Sequence, residues 1–231
     1  MKGVAAVVVG YNPDIQVLDS LLASLVDQVD LLVLVDNGGA SLFLESSPTI
    51  RDRIRYIPLG ENKGLGFALN IGFSCAIDEG NDYVVTFDQD SHAQSDLIST
   101  LHQAMCKAKL MDGNAIAVSP TFFDRRDGKQ IKFPFYSSSS GAIRAIFQSD
   151  DEHGLVKADA LITSGMLVDT RAWKKGIKYD DGMFVDFTDT EWCFRVRDRG
   201  FSLYGCLKVE MGHALSDRSE ERRVGKECSQ G

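Results

Sequence analysis

Hydrophobic positions in the first half of the chain fall into short apolar runs that alternate with segments of helical periodicity. Val4–Gly10 is an unbroken run of β-branched and small residues, which is typical of a strand buried on both faces of a parallel sheet. Ile15, Leu18, Leu22 and Leu25 then recur at helical spacing. The same criteria predict further strands at Leu31–Val35, Ile54–Pro58, Tyr83–Phe87 and Ala115–Val118, and further helices at Leu65–Ile77 and around Leu97, Leu101 and Met105.

Strands that alternate with helices across short loops predict right-handed βαβ units and an open, mostly parallel sheet flanked by helices. The predicted fold class is therefore α/β. In such sheets ligands bind at the carboxyl ends of the strands. Three polar motifs directly follow predicted strands, namely Tyr11-Asn12, Asp36-Asn37 and Asp88–Asp90. We therefore expect the ligand site at this edge of the sheet.

The second half of the chain is less regular. Residues 121–150 are rich in serine, glycine and charge and predict a loop or hairpin excursion, after Ser119-Pro120 has ended the fifth strand. Ala158–Val168 is strand-like, Phe187–Arg199 is helical, and Phe201–Val209 predicts a final strand.

Composition excludes some classes of protein. The 231 residues are 44% hydrophobic, as in globular domains, and the net charge of −8 argues against a nucleic-acid partner, which would require a basic surface. The five cysteines form no CxxC motif or zinc-finger spacing, which indicates buried thiols in a reducing compartment. Since no apolar stretch has the length of a signal peptide or membrane span, we expect a cytoplasmic location.

The end of the chain differs in character from the rest. Residues 218–228 resemble the translation of a sequencing adapter. We therefore interpret residues 1–217 as a single domain that lacks its natural C-terminal part, and residues 218–231 as a non-native tail. The alternative is a native tail that is charged and solvated.

Asp88-Gln89-Asp90 is the first motif that indicates chemistry. Two carboxylates one residue apart at a strand end suit a hard divalent cation, which binds carboxylates and keeps positions open for phosphate oxygens. The alternative is that one of them caps the helix after Ser91.

The segment from Asn62 to Gly72 is the second motif, with Gly64, Gly66 and Asn70 in between. Glycines at a helix start allow a ligand to approach the backbone, and a helix N-terminus favours anions. The alternative is a loop followed by a tightly packed helix.

Asp189-Thr-Glu191-Trp192 is the third motif. Carboxylates among aromatic residues suit a general base in a sugar-sized pocket. Thr188 and Glu191 also fit a capping box, and Glu191 with Arg195 fits an ion pair at helical spacing. His213, after the last predicted strand, is a candidate metal ligand or a structural histidine.

Together these motifs resemble family-2 glycosyltransferases of the GT-A fold, in which a smaller mixed region on the acceptor side adjoins the sheet. The resemblance covers about Val4 to Asp217. The Asp88-Gln89-Asp90-Ser91 motif and the Asp189-x-Glu191-Trp192 motif are similar to those of bacterial rhamnosyltransferases that use dTDP-L-rhamnose.

The resemblance implies a role for each motif residue. It implies that the donor nucleotide-sugar contacts Tyr11, Asn12, Asp36, Asn62, Gly64, Asn70, Asp88 and Asp90. It implies that Mn²⁺ or Mg²⁺ is held by Asp90, Asp88 and His213. It implies that Asp189 is the catalytic base and that the acceptor contacts Ser164, Gly165, Glu191 and Trp192.

The expected reaction is transfer of a sugar, L-rhamnose in the first instance, to a glycan or lipid-linked acceptor with inversion of configuration. A lipid-linked acceptor implies peripheral contact with the inner membrane face. Donors other than dTDP-L-rhamnose remain open. A nucleotidyltransferase and a non-catalytic module that binds sugar nucleotides are the alternatives from other classes.

Overall fold

The computed structural model describes residues 3–41, 48–124, 131–138 and 141–212. The helices are α1 Ile15–Leu25, α2 Pro48–Arg51, α3 Leu65–Asp78, α4 Leu97–Met111, α5 Arg171–Lys174 and α6 Thr188–Asp198. The strands are β1 Val4–Gly10, β2 Leu31–Asp36, β3 Ile54–Pro58, β4 Tyr83–Asp88, β5 Ala115–Asp124, β6 Ile131–Lys132, β7 Phe135–Ser137, β8 Arg144–Ile146, β9 Leu155–Ala158, β10 Met166–Asp169 and β11 Ser202–Gly212.

The main sheet has the strand order β3-β2-β1-β4-β10-β5-β11-β9, and β6 pairs with β5 beside this path. Strands β1 to β4 are parallel to one another, β10 is antiparallel to both of its neighbours, and β11 is parallel to β5. Strands β7 and β8 form a separate hairpin. The predicted α/β fold, with a parallel half and a mixed region beside it, is confirmed.

Strand β1 explains why the sheet is covered on both faces. All seven of its residues are buried, and successive side chains belong to two different cores. One core lies under α1 and α4, and the other under α3 and α6. Helix α3 packs so closely on β1 that a Cβ on Gly72 would lie 2.3 Å from Cγ1 of Val7. The continuous apolar run of β1 is thus the pattern of a strand between two helical layers.

The structure corrects two predicted boundaries. Strand β5 continues through Ser119-Pro120 to Asp124, because Pro120 lies beside a register irregularity of β11, where its missing N–H breaks no regular ladder. The strand predicted at Ala158–Val168 is two strands, β9 and β10. The segment between them includes Gly165 at φ 70°, a left-handed conformation that ends extended structure.

The other predicted elements match the structure to within a few residues. The excursion predicted after residue 120 contains the β7–β8 hairpin. Within the described residues, no helix is both long and apolar enough to cross a membrane. The predicted tail at 218–231 lies outside the described residues.

Candidate active site at the carboxyl edge of the sheet

The strand register brings the three polar motifs together. Gly10 of β1 pairs with Asp36 of β2, and Val9 pairs with Asp88 of β4. Asp36 in turn pairs with Pro58 of β3, which leads into the Asn62 loop. The carboxyl ends of these parallel strands therefore meet at one edge, as predicted.

Gln89 joins the Tyr11-Asn12 motif to the acidic motif Asp88-Gln89-Asp90. The Tyr11 backbone N–H donates to Oε1 of Gln89 at 2.6 Å, and Nε2 of Gln89 donates to the Tyr11 carbonyl at 3.1 Å. The Tyr11 side chain itself is 49% exposed. Its aromatic face is thus available for stacking while its backbone is fixed. Sequence reasoning missed Gln89, although its place between Asp88 and Asp90 was a signal.

Asp36 is a hydrogen-bond acceptor at the end of β2. Its Oδ1 accepts from the N–H groups of Gly38 at 2.8 Å and Ala40 at 3.0 Å, and its Oδ2 accepts from the Tyr56 hydroxyl. Burial and then the neighbouring Asp36 raise the pKa of Tyr56 well above its ordinary value, so this hydroxyl remains a donor. The Asp36 side chain is buried, so a nucleobase could contact this carboxylate only through one edge of the base.

Asn37 and Asn62 join β2 to the loop before α3. Nδ2 of Asn37 donates to Oδ1 of Asn62 at 2.9 Å, and Oδ1 of Asn37 accepts from the Lys63 N–H at 2.8 Å. Oδ1 of Asn62 also accepts from the Gly64 N–H at 3.0 Å. Asn62 lies at the predicted edge of the sheet. Asn37 positions the loop at Asn62 and Lys63, a role that the sequence did not indicate.

The glycines at the start of α3 contact protein rather than open space. A Cβ on Gly64 would lie 3.1 Å from Phe184, and a Cβ on Gly66 would lie 2.4 Å from the Asp180 carbonyl. The Leu65 N–H donates to the Phe184 carbonyl at 2.6 Å. The close approaches at Gly64 and Gly66 are therefore with residues 180–184, and the contact of Gly64 with the donor stays a prediction.

Asn70, a predicted donor-binding residue, makes its hydrogen bonds within the protein. Its Nδ2 donates to the Tyr179 carbonyl at 2.9 Å and to Oδ1 of Asp181 at 2.8 Å, while its Oδ1 accepts from the Tyr179 N–H at 3.0 Å. Both amide hydrogens are used and the side chain is buried. Asn70 fixes the 179–181 turn against α3.

The acidic motif presents its two carboxylates differently. Asp88 is half-buried at the end of β4, and its carbonyl accepts from the Ser91 N–H at 3.1 Å. Asp90 is exposed, and no hydrogen bond or ion pair joins its carboxylate to another described residue. The described residues contain no cluster of three or more His, Cys, Asp and Glu side chains that could hold a metal ion. The third predicted ligand, His213, lies outside the described residues.

Ser164 and Gly165 are interior residues, and their contact with the acceptor stays a prediction. The Ser164 hydroxyl is hydrogen-bonded to the Ser91 hydroxyl and accepts from the Asp88 N–H at 3.3 Å. A Cβ on Gly165 would lie 2.9 Å from Cγ of Pro120. Both residues are fully enclosed and hold the 163–165 loop against the acidic motif.

Three contacts hold helix α6 beside the segment before β10, and the helix and this segment run in opposite directions. Asp189 accepts from the Thr163 N–H at 3.2 Å, and Sγ of Cys193 accepts from the Leu161 N–H at 3.3 Å. The third contact is an ion pair of Arg197 with Asp159 at 2.7 Å. Because the helix residues are four apart, one face of α6 makes all three contacts, and Asp189 is placed by the whole helix.

The neighbours of Asp189 on α6 have structural roles. Glu191 forms the predicted ion pair with Arg195. Trp192 is fully buried, and its Nε1 donates to the Ile177 carbonyl at 3.2 Å. Trp192 is therefore a core residue, and its contact with the acceptor stays a prediction. The capping box is absent at this helix start, because the Thr188 hydroxyl donates to the Val185 carbonyl at 2.9 Å.

The loop that contains Thr163 and Ser164 contacts both Asp189 and the acidic motif. The Thr163 N–H donates to the Asp189 carboxylate at 3.2 Å, and the hydroxyl of the adjacent Ser164 accepts from the Asp88 backbone N–H at 3.3 Å, so neighbouring residues contact the Asp189 side chain and the Asp88 backbone. Both Asp189 and Asp88 affect the pKa of the buried Tyr179 hydroxyl. Burial raises its pKa well above the ordinary value, and Cys193, Asp189 and Asp88 raise it further.

Comparison with known families adds to this geometry. The model of the family described as "Glycosyl transferase family 2" matches residues 6–165, which is most of the described chain up to β10. The chain belongs to glycosyl transferase family 2. This membership selects the glycosyltransferase interpretation over the nucleotidyltransferase and the non-catalytic module.

Relatives of this family-2 glycosyltransferase include a "dTDP-rhamnosyl transferase RfbF" from Shigella flexneri. It is 28% identical over 218 residues, which cover 94% of this chain and 71% of the relative.

Solved structures show the same GT-A fold. GalNAc-T7, solved with UDP, GalNAc and Mn²⁺, matches 92% of this chain with a TM-score of 0.72 and 13% identity. S. aureus TarS 1–349 in complex with UDP-GlcNAc matches 93% with a TM-score of 0.63 and 13% identity. The family-2 chain spans only 44% of the first and 59% of the second.

Proposed function

We propose that this family-2 glycosyltransferase transfers L-rhamnose from dTDP-L-rhamnose to a hydroxyl of a glycan or lipid-linked acceptor, with inversion. The relative named as a dTDP-rhamnosyl transferase supports the donor, since it aligns with nearly the whole chain. The observation that carries the proposal is that neighbouring loop residues hold the Asp189 carboxylate, through the Thr163 N–H, and the Asp88 backbone N–H, through the Ser164 hydroxyl. A base and a leaving-group site that one loop contacts suit a single displacement at the sugar between them.

Tyr11 and Asp36 are the proposed nucleobase contacts. The exposed Tyr11 ring is a stacking surface whose backbone Gln89 holds rigid. Asp36 oxygens already accept three hydrogen bonds, and a carboxylate offers about four lone-pair sites, so one acceptor position remains for a base N–H. Asn12, at φ 42°, and Asn62 complete the proposed donor side.

The acidic motif fits a divalent cation. Mg²⁺ and ions like it are commonly bound through one or two carboxylates plus substrate phosphates, and Asp90 is an exposed carboxylate without a partner among the described residues. Asp90 and Asp88 would hold Mn²⁺ or Mg²⁺, with His213 as the further proposed ligand. When bound, such an ion supplies neutralisation of the charge that develops on the departing diphosphate.

Asp189 is proposed to accept the proton of the attacking hydroxyl. Its Oδ2 accepts from the Thr163 N–H at 3.2 Å, and its Oδ1 accepts from the N–H and the hydroxyl of Thr190 at 2.7 and 3.2 Å. Three of about four lone-pair sites are thus used, which leaves one for the acceptor. The same contacts fix the rotation of the carboxylate, which a general base requires. One base and a metal site suit direct displacement at the sugar, so inversion is part of the proposal.

Donor choice is tested by product release. The protein is incubated with dTDP-L-rhamnose, and in parallel with UDP-GlcNAc, with and without Mn²⁺. Water takes the sugar in this hydrolysis assay, and free nucleoside diphosphate is measured. We expect metal-dependent release of dTDP at a rate well above that of UDP. Release of UDP alone would reject the rhamnosyl donor while keeping glycosyl transfer. Release from neither donor would reject the proposed function of this chain.

A further inference from the structure

An apolar pocket opens beside the proposed base. It has a volume of about 170 Å³, and its lining residues come from β5, from residues 133–136 and from residues 160–162, together with Asp189 and Thr190 of α6. Its aromatic lining includes Phe133 and Tyr136, and its aliphatic lining includes Leu161 and Ile162. None of the roles assigned above uses this pocket.

Hydrogen bonds hold the walls of this pocket, which we name the apolar pocket. The Phe133 N–H donates to the Phe122 carbonyl at 2.9 Å, and the Asp159 N–H donates to the Tyr136 carbonyl at 2.8 Å. Residues 160–162 are held to α6 through the Cys193 sulfur contact at Leu161. The pocket is therefore bounded by backbone that hydrogen bonds fix on both sides, and its position relative to Asp189 is set by the same bonds.

Size and chemistry restrict what the apolar pocket can hold. A cavity of about 150 Å³ lined by apolar side chains accommodates one six-membered ring such as benzene. A pyranose is also a six-membered ring, so the pocket holds about one sugar unit. Hydroxyls turned toward the phenylalanine and leucine side chains would lose hydrogen bonds to water, which is unfavourable. Among the lining residues, the side chains of Asp189, Thr190 and Tyr136 carry hydrogen-bonding oxygens, and Tyr136 is half exposed.

We propose that the apolar pocket receives the terminal sugar of the acceptor, and that this sugar is a 6-deoxyhexose whose methyl-bearing face packs on Tyr136 and Ile162. In this orientation the hydroxyl-bearing side of the ring faces Asp189, where a proton is to be removed. The inference rests on the proposed function, because it makes the pocket the acceptor subsite of that reaction. The partly exposed side chains of Tyr136 and Ile162 then determine specificity.

The test compares two probes that differ only at C6. Methyl α-L-rhamnopyranoside carries a methyl group there, and methyl α-L-mannopyranoside carries a hydroxymethyl group. Saturation-transfer NMR on the full chain reports binding without turnover. We expect the strongest transfer at the C6 methyl protons. We also expect binding about 10- to 100-fold tighter than that of the 6-hydroxy sugar, the range by which apolar pockets discriminate one small group.

Matched variants locate the binding. Ile162→Thr places a hydroxyl in the pocket and should weaken binding of the rhamnoside several-fold, whereas Ile143→Thr changes an isoleucine that is 79% exposed and outside the lining, and should leave it unchanged. Ala160→Leu, which fills the pocket, should also abolish transfer. Melting temperatures near that of the wild type establish that each variant is folded.

Each outcome decides the proposal. Equal binding of the two sugars, or equal effects of Ile162→Thr and Ile143→Thr, would overturn it. Turnover of dTDP-L-rhamnose without binding of the rhamnoside would overturn the pocket assignment and leave the proposed function standing. Binding of the rhamnoside without turnover of either donor would leave a sugar site but remove its role as the acceptor subsite.

Discussion

The role of Asp189 can be separated from its contribution to stability by Asp189→Asn. Asparagine keeps the shape of the side chain but replaces one oxygen by an NH₂ group. Because Oδ2 faces the Thr163 N–H and Oδ1 faces the Thr190 N–H, either orientation of the amide sets a donor against a donor. An unsatisfied amide costs about 1–3 kcal/mol. Most folded domains have about 5–15 kcal/mol of stability, so the variant stays folded at room temperature.

The catalytic effect should be larger than this. Loss of a general base typically reduces turnover by about 10²–10⁴-fold, which corresponds to about 3–5 kcal/mol in the activation barrier. The assay is initial-rate release of dTDP at saturating donor and acceptor, well below the melting temperature. Calorimetry of donor binding with Mn²⁺ accompanies it. We expect turnover to fall within that range while the dissociation constant of the donor stays within a factor of about three.

Asp112→Asn is the matched control. Asp112 also accepts a backbone N–H, from Asn114 at 3.0 Å, and it pairs with Lys157 at 3.0 Å. It precedes β5 and therefore lies at the opposite edge of the sheet from the candidate site. This variant should lower the melting temperature with turnover unchanged. Turnover of Asp189→Asn close to wild type would refute the assignment of the base. An equal loss of turnover in both variants would show that the effect is one of folding.

Other predictions follow from single contacts. Asp90→Ala should remove the enhancement of donor binding by Mn²⁺ in calorimetry, and unchanged enhancement would place the ion elsewhere. Gly66→Ala would put a Cβ 2.4 Å from the Asp180 carbonyl and should cost about 1–3 kcal/mol in denaturant unfolding, whereas Gly113→Ala, with open space around it, should be neutral within about 0.5 kcal/mol. Burial raises the pKa of Cys193 from 9.0 to about 12, so its neutral thiol stabilises the fold at neutral pH and this contribution is lost as pH rises from 9 toward 12. The free energy of unfolding should fall less steeply over that range in Cys193→Ala, and parallel curves would contradict the burial of this thiol.

Local sequence determined most of the fold. The unbroken apolar run of β1 required a strand covered on both faces, and the alternation with helical periodicity required crossover connections and a parallel sheet. Because parallel strands end at the same edge, the positions of Asp36 and Asp88 after their strands already placed them together. These conclusions need only the order of residues along each element and the geometry of a sheet.

Tertiary structure decided what each polar side chain does there. Asn70 was expected to meet the donor, but its amide is used by Tyr179, 109 residues away. Ser164 and Trp192 were expected to meet the acceptor, but folding encloses both completely. Hydrogen-bonding capacity is finite, so a side chain whose donors are taken by a distant segment has fewer groups left for a ligand. Which segment arrives depends on how loops cross the sheet edge, and that is not encoded in local periodicity.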